Sequence, residues 1–244
     1  MSFGFSAVND SDSVMVSDTH QHLVFERRGT LTVSGGTINK QHSAAITFPT
    51  AITTTPPPKI FLKVQSSSHA SITMYCVLLG SPGNWTGFRI YCAAAGTAPA
   101  PNYVFQYVVC KFVNSAPSSG FGMVIYDAAG QPVFRHDAKL VKYSKFTKTW
   151  TYTRTLSGAW FYTFFPSGIT ITPDDFIDVS SINRGCVIME VYGIQYTSLR
   201  IWRSSAPVLQ LVAQANSSQS DPQYVSSMRF CMAICQFPSD VYYN

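Results

Sequence analysis

Phe121-Gly-Met-Val-Ile-Tyr-Asp127-Ala-Ala-Gly130-Gln-Pro-Val-Phe134 is the stretch on which the fold reading turns. Two short apolar runs flank Asp127-Ala-Ala-Gly130, and Asp and Gly are turn formers. The pattern predicts a β-hairpin with a short loop. The same pattern stands 118 positions earlier, in Phe3-Gly-Phe5-Ser-Ala-Val-Asn9-Asp-Ser-Asp12-Ser-Val-Met15-Val16. Here Asp12 takes the place of Gly130. Asp adopts a left-handed conformation less readily than Gly, so the first turn is expected to be looser.

Three further pairs follow in the same order along the chain. Phe48-Pro49-Thr50-Ala51-Ile52-Thr53 matches Phe165-Pro166-Ser167-Gly168-Ile169-Thr170. Phe88-Arg89-Ile90-Tyr91 matches Leu199-Arg200-Ile201-Trp202, and Val109-Cys110-Lys111-Phe112 matches Ile234-Cys235-Gln236-Phe237. Ordered self-similarity of this kind indicates a duplicated structural unit. Two tandem copies of one domain are expected, residues 1–118 and 119–244. They join at Asn114-Ser-Ala-Pro-Ser-Ser-Gly120, a small, polar linker sequence.

Strand signals continue outside the hairpins. A second hairpin is expected from Lys148–Arg154 and Trp160–Phe165 around Leu156-Ser-Gly158. Other candidates are Ile60–Val64, Ile72–Leu79, Gly87–Tyr91, Val104–Phe112, Val187–Tyr192, Leu199–Arg203, Val208–Ala213 and Met228–Phe237. Helical periodicity is nowhere sustained. Pro56-Pro57-Pro58 reads as a rigid connector or an edge, because proline donates nothing to a ladder. The fold class is therefore all-β: two tandem antiparallel β-sandwich-like domains arising from an internal repeat.

Composition agrees with that class and excludes others. Of the 244 residues, 46% are hydrophobic, 14% aromatic and only 12% charged. Disorder requires the opposite balance, and helical bundles expose far more Glu, Lys and Arg. The net charge of +5 divides almost evenly, +3 in residues 1–118 and +2 in 119–244. A dedicated nucleic-acid binder carries a denser basic stripe, so no specific nucleic acid is expected. No apolar run approaches the roughly 18 residues of a membrane span. The N-terminus lacks a basic segment followed by an apolar one, so synthesis and folding in a cytoplasm are expected. That compartment and a large core favour buried thiols over disulfides for Cys76, Cys92, Cys110, Cys186, Cys231 and Cys235.

No catalytic signature is present: no Gly-x-Ser-x-Gly, no His-Glu-x-x-His, no phosphate-binding or dinucleotide-binding glycine loop. The expectation is a protein that is not an enzyme and has no cofactor and no metal. His20-x-His22 could share a strand face and hold a metal, but a solvated or turn pair is favoured. Thr172-Pro-Asp174-Asp175, with Asp178 beyond it, reads as a turn or cap ahead of a cation site. The clearest charge feature is residues 135–154, where Arg135, Lys139, Lys142, Lys145, Lys148 and Arg154 accompany one acid, Asp137. It can be a polyanion contact, a lysine-guarded edge strand or a salt-bridged seam with a partner, and the last two are preferred. Trp85, in Ser81-Pro-Gly-Asn-Trp-Thr-Gly87, is the aromatic with the most loop-like surroundings, suited to a glycan or protein contact. Trp85, Lys139, Lys142, Lys145 and Lys148 are the candidate interaction residues.

The hairpin 121–134 resembles an opening motif of minor tail and tail-tip proteins of tailed bacteriophages. In both, Phe/Tyr-Gly, an apolar strand, Asn/Asp-x-x-Gly and a second apolar strand follow one another. The resemblance covers about fourteen residues of each copy, and the first copy departs from it by lacking the turn glycine. It implies a virion structural component near the distal tail, synthesised in the host cytoplasm. Other phage tail proteins are the implied partners, with a homo-oligomer or attachment to a trimeric hub as the assembly. The alternative is a receptor- or glycan-binding adhesin that meets a host-surface glycan. The resemblance carries over no catalytic residue.

Overall fold

A computed structural model describes residues 6–8, 14–17, 20–35, 41–66, 72–94, 102–116, 122–157, 159–166, 168–180, 197–202, 208–215 and 231–242. All regular structure among them is β, and every strand pair is antiparallel. The first half supplies β1 (Ser6–Val8), β2 (Val14–Ser17), β3 (Leu23–Val33), β4 (His42–Ile52), β5 (Lys59–Ser66), β6 (Ile72–Ser81), β7 (Asn84–Ala94) and β8 (Tyr103–Phe112). The second half supplies β9 (Val124–Tyr126), β10 (Pro132–Arg135), β11 (Tyr143–Thr147), β12 (Trp150–Ser157), β13 (Ala159–Pro166), β14 (Phe176–Asp178), β15 (Thr197–Trp202), β16 (Val208–Ala215) and β17 (Met232–Cys235).

Two small hairpins, β1–β2 and β9–β10, lie where the repeated motif predicts them. In the second, the Asp127 carboxylate accepts from the amides of Ala129 (2.9 Å) and Gln131 (2.8 Å). Gly130 closes the turn at φ +75°, a conformation that favours glycine. The turn in which Asp12 replaces this glycine lies outside the described residues, as do Cys186 and the strand expected at 187–192.

The remaining strands form two large sheets. One has the order β11-β17-β14-β5-β8-β3, the other β12-β13-β16-β15-β6-β7-β4. Both run through residues 1–118 and 119–244 alike. The halves meet where β5 pairs with β14 (Leu62 opposite Ile177) and β6 pairs with β15 (Met74 opposite Leu199). The main core lies between the sheets. It takes Ile60, Leu62, Phe105, Val109, Ile177 and Ile234 from one sheet, and Phe48, Met74, Phe88, Ile90 and Cys92 from the other.

The six-stranded sheet is buried on its second face as well. Phe61, Val108, Cys110, Phe176 and Cys235 point away from the main core into a second cluster with Leu23, Phe25, Phe237 and Tyr242. Burial on both faces explains the near-continuous apolar runs of β5 and β8, since neither face has water to meet. Phe237 organises this cover. Its ring meets Phe61, Phe176 and Tyr242 edge-on at 5.3, 5.4 and 5.1 Å. The Tyr242 hydroxyl donates to the Leu140 carbonyl (2.6 Å), and Arg28 donates to the Tyr242 carbonyl (3.0 Å).

The expected hairpin at 148–165 is β12–β13, with Leu156 opposite Trp160. Two eleven-residue strands, β3 and β4, have no counterpart among the predicted ones, and each lies at a sheet edge. Glu26-Arg27-Arg28-Gly29 interrupts the apolar alternation of β3, and its pairing with β8 slips between Phe25 and Arg27. Gly29 accommodates the ring of its neighbour Tyr107: a Cβ there would stand 2.5 Å from the tyrosine oxygen. Pro49 falls within β4, where the pairing with β7 breaks between Thr47 and Ile52. An edge strand tolerates the donor that proline lacks.

Phe237→Ala is expected to destabilise the protein by about 3–5 kcal/mol, the cost of an unfilled aromatic site in a packed cluster. Chemical denaturation with an unchanged slope would measure it. A loss below about 1 kcal/mol would show that the aromatic cover contributes little.

Candidate functional site

The sequence-predicted interaction residues do not come together. Trp85 opens β7 rather than tipping a loop, because Pro82-Gly83 alone make the turn between Ser81 and Asn84. Its side chain is half-buried against the main core, and its indole N–H donates to the Thr54 carbonyl (2.9 Å). That carbonyl also accepts from the Gly83 amide (3.0 Å), so Trp85 helps seat the turn.

The described members of the basic stretch 135–154 do not form one patch; the Arg154 side chain lies outside what the structure describes. Lys145 donates to the Thr170 carbonyl (2.8 Å) and to the Asp175 carboxylate. Asp175 is almost fully buried and also accepts from the Thr172 amide (2.7 Å) and the Gln236 side chain (3.0 Å). Burial alone would raise its pKa, but Lys145, the Thr172 amide and Gln236 outweigh it and leave the carboxyl below its ordinary value. Thr172-Pro-Asp-Asp175 is thus a turn, closed by the Asp175 amide on the Thr172 carbonyl (3.1 Å). Asp178, also buried, pairs with Lys59 (3.2 Å), and Asp174 pairs with Lys63 (3.7 Å). Lys139 lies with its ammonium 5.5 Å from the centre of the Phe25 ring. Lys142 and Lys148 are exposed.

Of the histidine pair, His20 is exposed and His22 half-buried, its ring edge-on to Phe134 at 5.6 Å. Burial, then the neighbouring His20, lowers the His22 pKa. Among the described residues no group of three or more His, Cys, Asp or Glu is placed to hold a metal. Cys76, Cys92, Cys110 and Cys235 are free and buried, and Cys231 is free and exposed. Burial raises the thiol pKa of Cys76, Cys110 and Cys235 well above the reactive range, to about 12 for Cys235. No helix among the described residues is long and apolar enough to cross a membrane.

A cleft of about 330 Å³ opens instead between the edge of the six-stranded sheet and the segment after the β9–β10 hairpin. Its walls carry Glu26, Lys111, Ser115, Arg135, Asp137 and Lys139. Lys111 of β8 reaches Glu26 of β3 at 2.8 Å. Arg135 grips Asp137 through two N–H groups (2.9 and 2.7 Å), while its remaining terminal nitrogen donates to the Ser115 carbonyl (3.3 Å). The bond to Arg135 is the chief reason that the Asp137 pKa is lowered. The Arg135-x-Asp137 half was legible as two charges flanking one residue. The Glu26–Lys111 half was not, because its members are far apart in sequence and meet only through strand pairing.

No family model, curated protein or solved structure matches this chain.

Lys145→Met is expected to cost on the order of 3 kcal/mol, because it leaves the Asp175 carboxylate buried without its cation. Lys148→Met, on an exposed side chain, should stay within about 0.5 kcal/mol of the parent. Paired urea titrations separate the two, and equal losses would remove the distinction.

Stability should fall in two stages on acidification. His22 titrates below its ordinary 6.5 in the folded state, so the unfolded chain takes up its proton first. Stability is therefore full above that value and declines below it. Asp175 and Asp137 have lowered pKa values, so their contribution is present above about pH 4 and is lost as pH drops through the folded values. Unfolding free energies measured from pH 8 to pH 3 should show both steps, and His22→Phe should abolish only the upper one.

Proposed function

We propose that the chain is a non-enzymatic structural component of a phage tail tip or baseplate, built from two copies of one β-domain. The observation that carries the repeat is the order of strands on either side of the seam. Outward from it, β5-β8-β3 is answered by β14-β17-β11, and β6-β7-β4 by β15-β16-β13. Ser6–Val8 and Val14–Ser17 correspond to Val124–Tyr126 and Pro132–Arg135 at the 118-residue spacing of the motif. Val109-Cys110 and Ile234-Cys235 fall on β8 and β17, which hold equivalent places. The match of Phe88–Tyr91 with Leu199–Trp202 does not fit this scheme: it aligns β7 with β15, whereas β15 occupies the place of β6. Each copy then contributes half of both sheets, with residues 114–120 as the connection.

The assembly role rests on the hairpin motif and on the kind of surface that the composition provides. Few charges and many hydroxyls suit a protein that packs against neighbours through apolar area with a polar rim. Exposed Tyr143 and Phe146, with rings 4.9 Å apart on β11, stand on the edge strand of the six-stranded sheet. An uncovered apolar edge of this kind suits contact with another chain. In this reading the protein is made in the host cytoplasm and resides in the virion, where other tail proteins are its partners and a homo-oligomer or trimeric hub its setting. The alternative, a receptor- or glycan-binding adhesin of the virion, draws on the charged cleft rather than on Trp85.

After mild disruption of particles, the protein should stay bound to other tail proteins and sediment with them. Recovery only as a free monomer, absent from purified particles, would remove the assembly reading.

A further inference from the structure

β11 (Tyr143–Thr147) ends the six-stranded sheet, and among the described residues no strand pairs with its outer side. The opposite edge of that sheet is partly guarded. Just before β11 the chain runs along β3, where Leu140 bridges Val24 and the Phe25 amide donates to the Lys139 carbonyl (2.8 Å). The same segment then leaves its own continuation open. A strand edge of this kind keeps backbone donors and acceptors free for an added chain. A bulge aims the side chains, since the pairing with β17 slips between Tyr143 and Lys145. Lys145 and Thr147 lie opposite Ile234 and Met232 of the main core, whereas Phe146 lies opposite Ala233 on the other face. Without the slip Tyr143, three residues before Phe146, would face the core. With it, Tyr143 stands opposite Cys235 of the second cluster. Both rings therefore share one face, 4.9 Å apart, and stay 43% and 55% exposed, a paired apolar surface without cover.

Charge selects what lies there. Lys142 and Lys148 bracket the strand and both are exposed. Neither has an acid in salt-bridge range among the described residues, whereas Lys145 between them is held by Asp175. Two β11 strands set side by side would pool these lysines, so the edge repels a second copy of itself. It attracts a strand that carries acids. A polynucleotide asks for a denser row of cations than two lysines about 20 Å apart, the span of six extended residues. We propose that the β11 edge takes up an extended acidic segment of a partner protein as an added strand. The backbone of that segment pairs with residues 143–147, and its apolar side chains cover Tyr143 and Phe146. Acids near its two ends meet Lys142 and Lys148. This assignment rests on the reading of the same edge as a contact surface and adds the chemistry of the partner. It fails separately from the assembly role, because a protein that sediments with tail proteins need not hold them by this edge.

Titration of the full chain with a short blocked peptide, alternating valine and threonine between two terminal glutamates, tests it through amide chemical shifts. Saturable shifts are expected at residues 142–148 and along β17. The same peptide ended in lysine should bind at least about tenfold more weakly. A proline at the centre of the peptide should abolish binding, because it breaks the added ladder. Lys142→Gln combined with Lys148→Gln should weaken binding about fivefold to tenfold, the effect of two exposed ion pairs. Phe146→Ser should weaken it by about tenfold through lost apolar cover. All three side chains are exposed, so the variants should keep the fold, which far-ultraviolet circular dichroism checks. Thr50→Ala, on the exposed part of β4, should leave binding unchanged. Absence of saturable shifts at β11, shifts along β4 instead, equal binding of the lysine-ended peptide, or wild-type affinity in the folded double-lysine variant or in Phe146→Ser would each overturn the assignment. Tighter binding of a thymidine oligonucleotide or of phosphatidylserine vesicles at residues 142–148 would give the edge to nucleic acid or to a membrane, and would overturn it too.

Discussion

The pairing of β5 with β14 and of β6 with β15 is the constraint on which the rest of the structure depends. An unpaired strand edge presents a row of unsatisfied donors and acceptors. The first half by itself would expose β5 at the edge of one sheet and β6 at the edge of the other, and the second half covers both of these. The Val179 amide extends the ladder to the Ile60 carbonyl (2.9 Å). Charge then selects the partner. β5 brings Lys59 and Lys63, whereas the segment around β14 brings Asp174 and Asp178. Two β5 strands set side by side would pool lysines, so the seam favours union of unlike halves. Lys63 also lies 5.0 Å from the centre of the Phe176 ring, which adds a cation–π contact across the same joint.

The second cluster follows from that seam. Once β14 lies beside β5, Phe61 and Phe176 form one apolar surface on the outer side of the sheet, and water must be kept from it. Phe237 and Tyr242, just after β17, cover it and tie it to Phe25 of β3. The C-terminal segment therefore holds strands of both halves in a single packed layer. Loss of any one of these rings opens a gap that its rigid neighbours fill poorly.

Scarcity of charge has a structural side as well. Most of the charged groups described here are engaged in pairs: Asp175 with Lys145, Asp178 with Lys59, Glu26 with Lys111, Asp137 with Arg135. The basic stretch 135–154 is accordingly no single patch. Lys145 is bound to a buried acid, Lys139 rests over an aromatic ring, and Lys142 and Lys148 are exposed. Charges of both signs also gather in the cleft at the joint of sheet, hairpin and linker.

Much of this fold was legible in the sequence because its signals are local. Alternation and turn residues mark the hairpins at 124–135 and 150–166, and the strands β5, β6, β7 and β8, since a strand's period and a turn's conformation are properties of a few neighbouring residues. The absence of helix among the described residues followed from the same patterns. The edge strands β3 and β4 escaped, because edges tolerate the Glu-Arg-Arg run and Pro49 that disguise them. Tertiary structure alone decided the rest. It brought Glu26 to Lys111, set β14 beside β5, and turned Trp85 and Lys145 inward to Thr54 and Asp175. Those contacts join residues distant in the chain, and their partners follow from strand order and register, which no local pattern encodes.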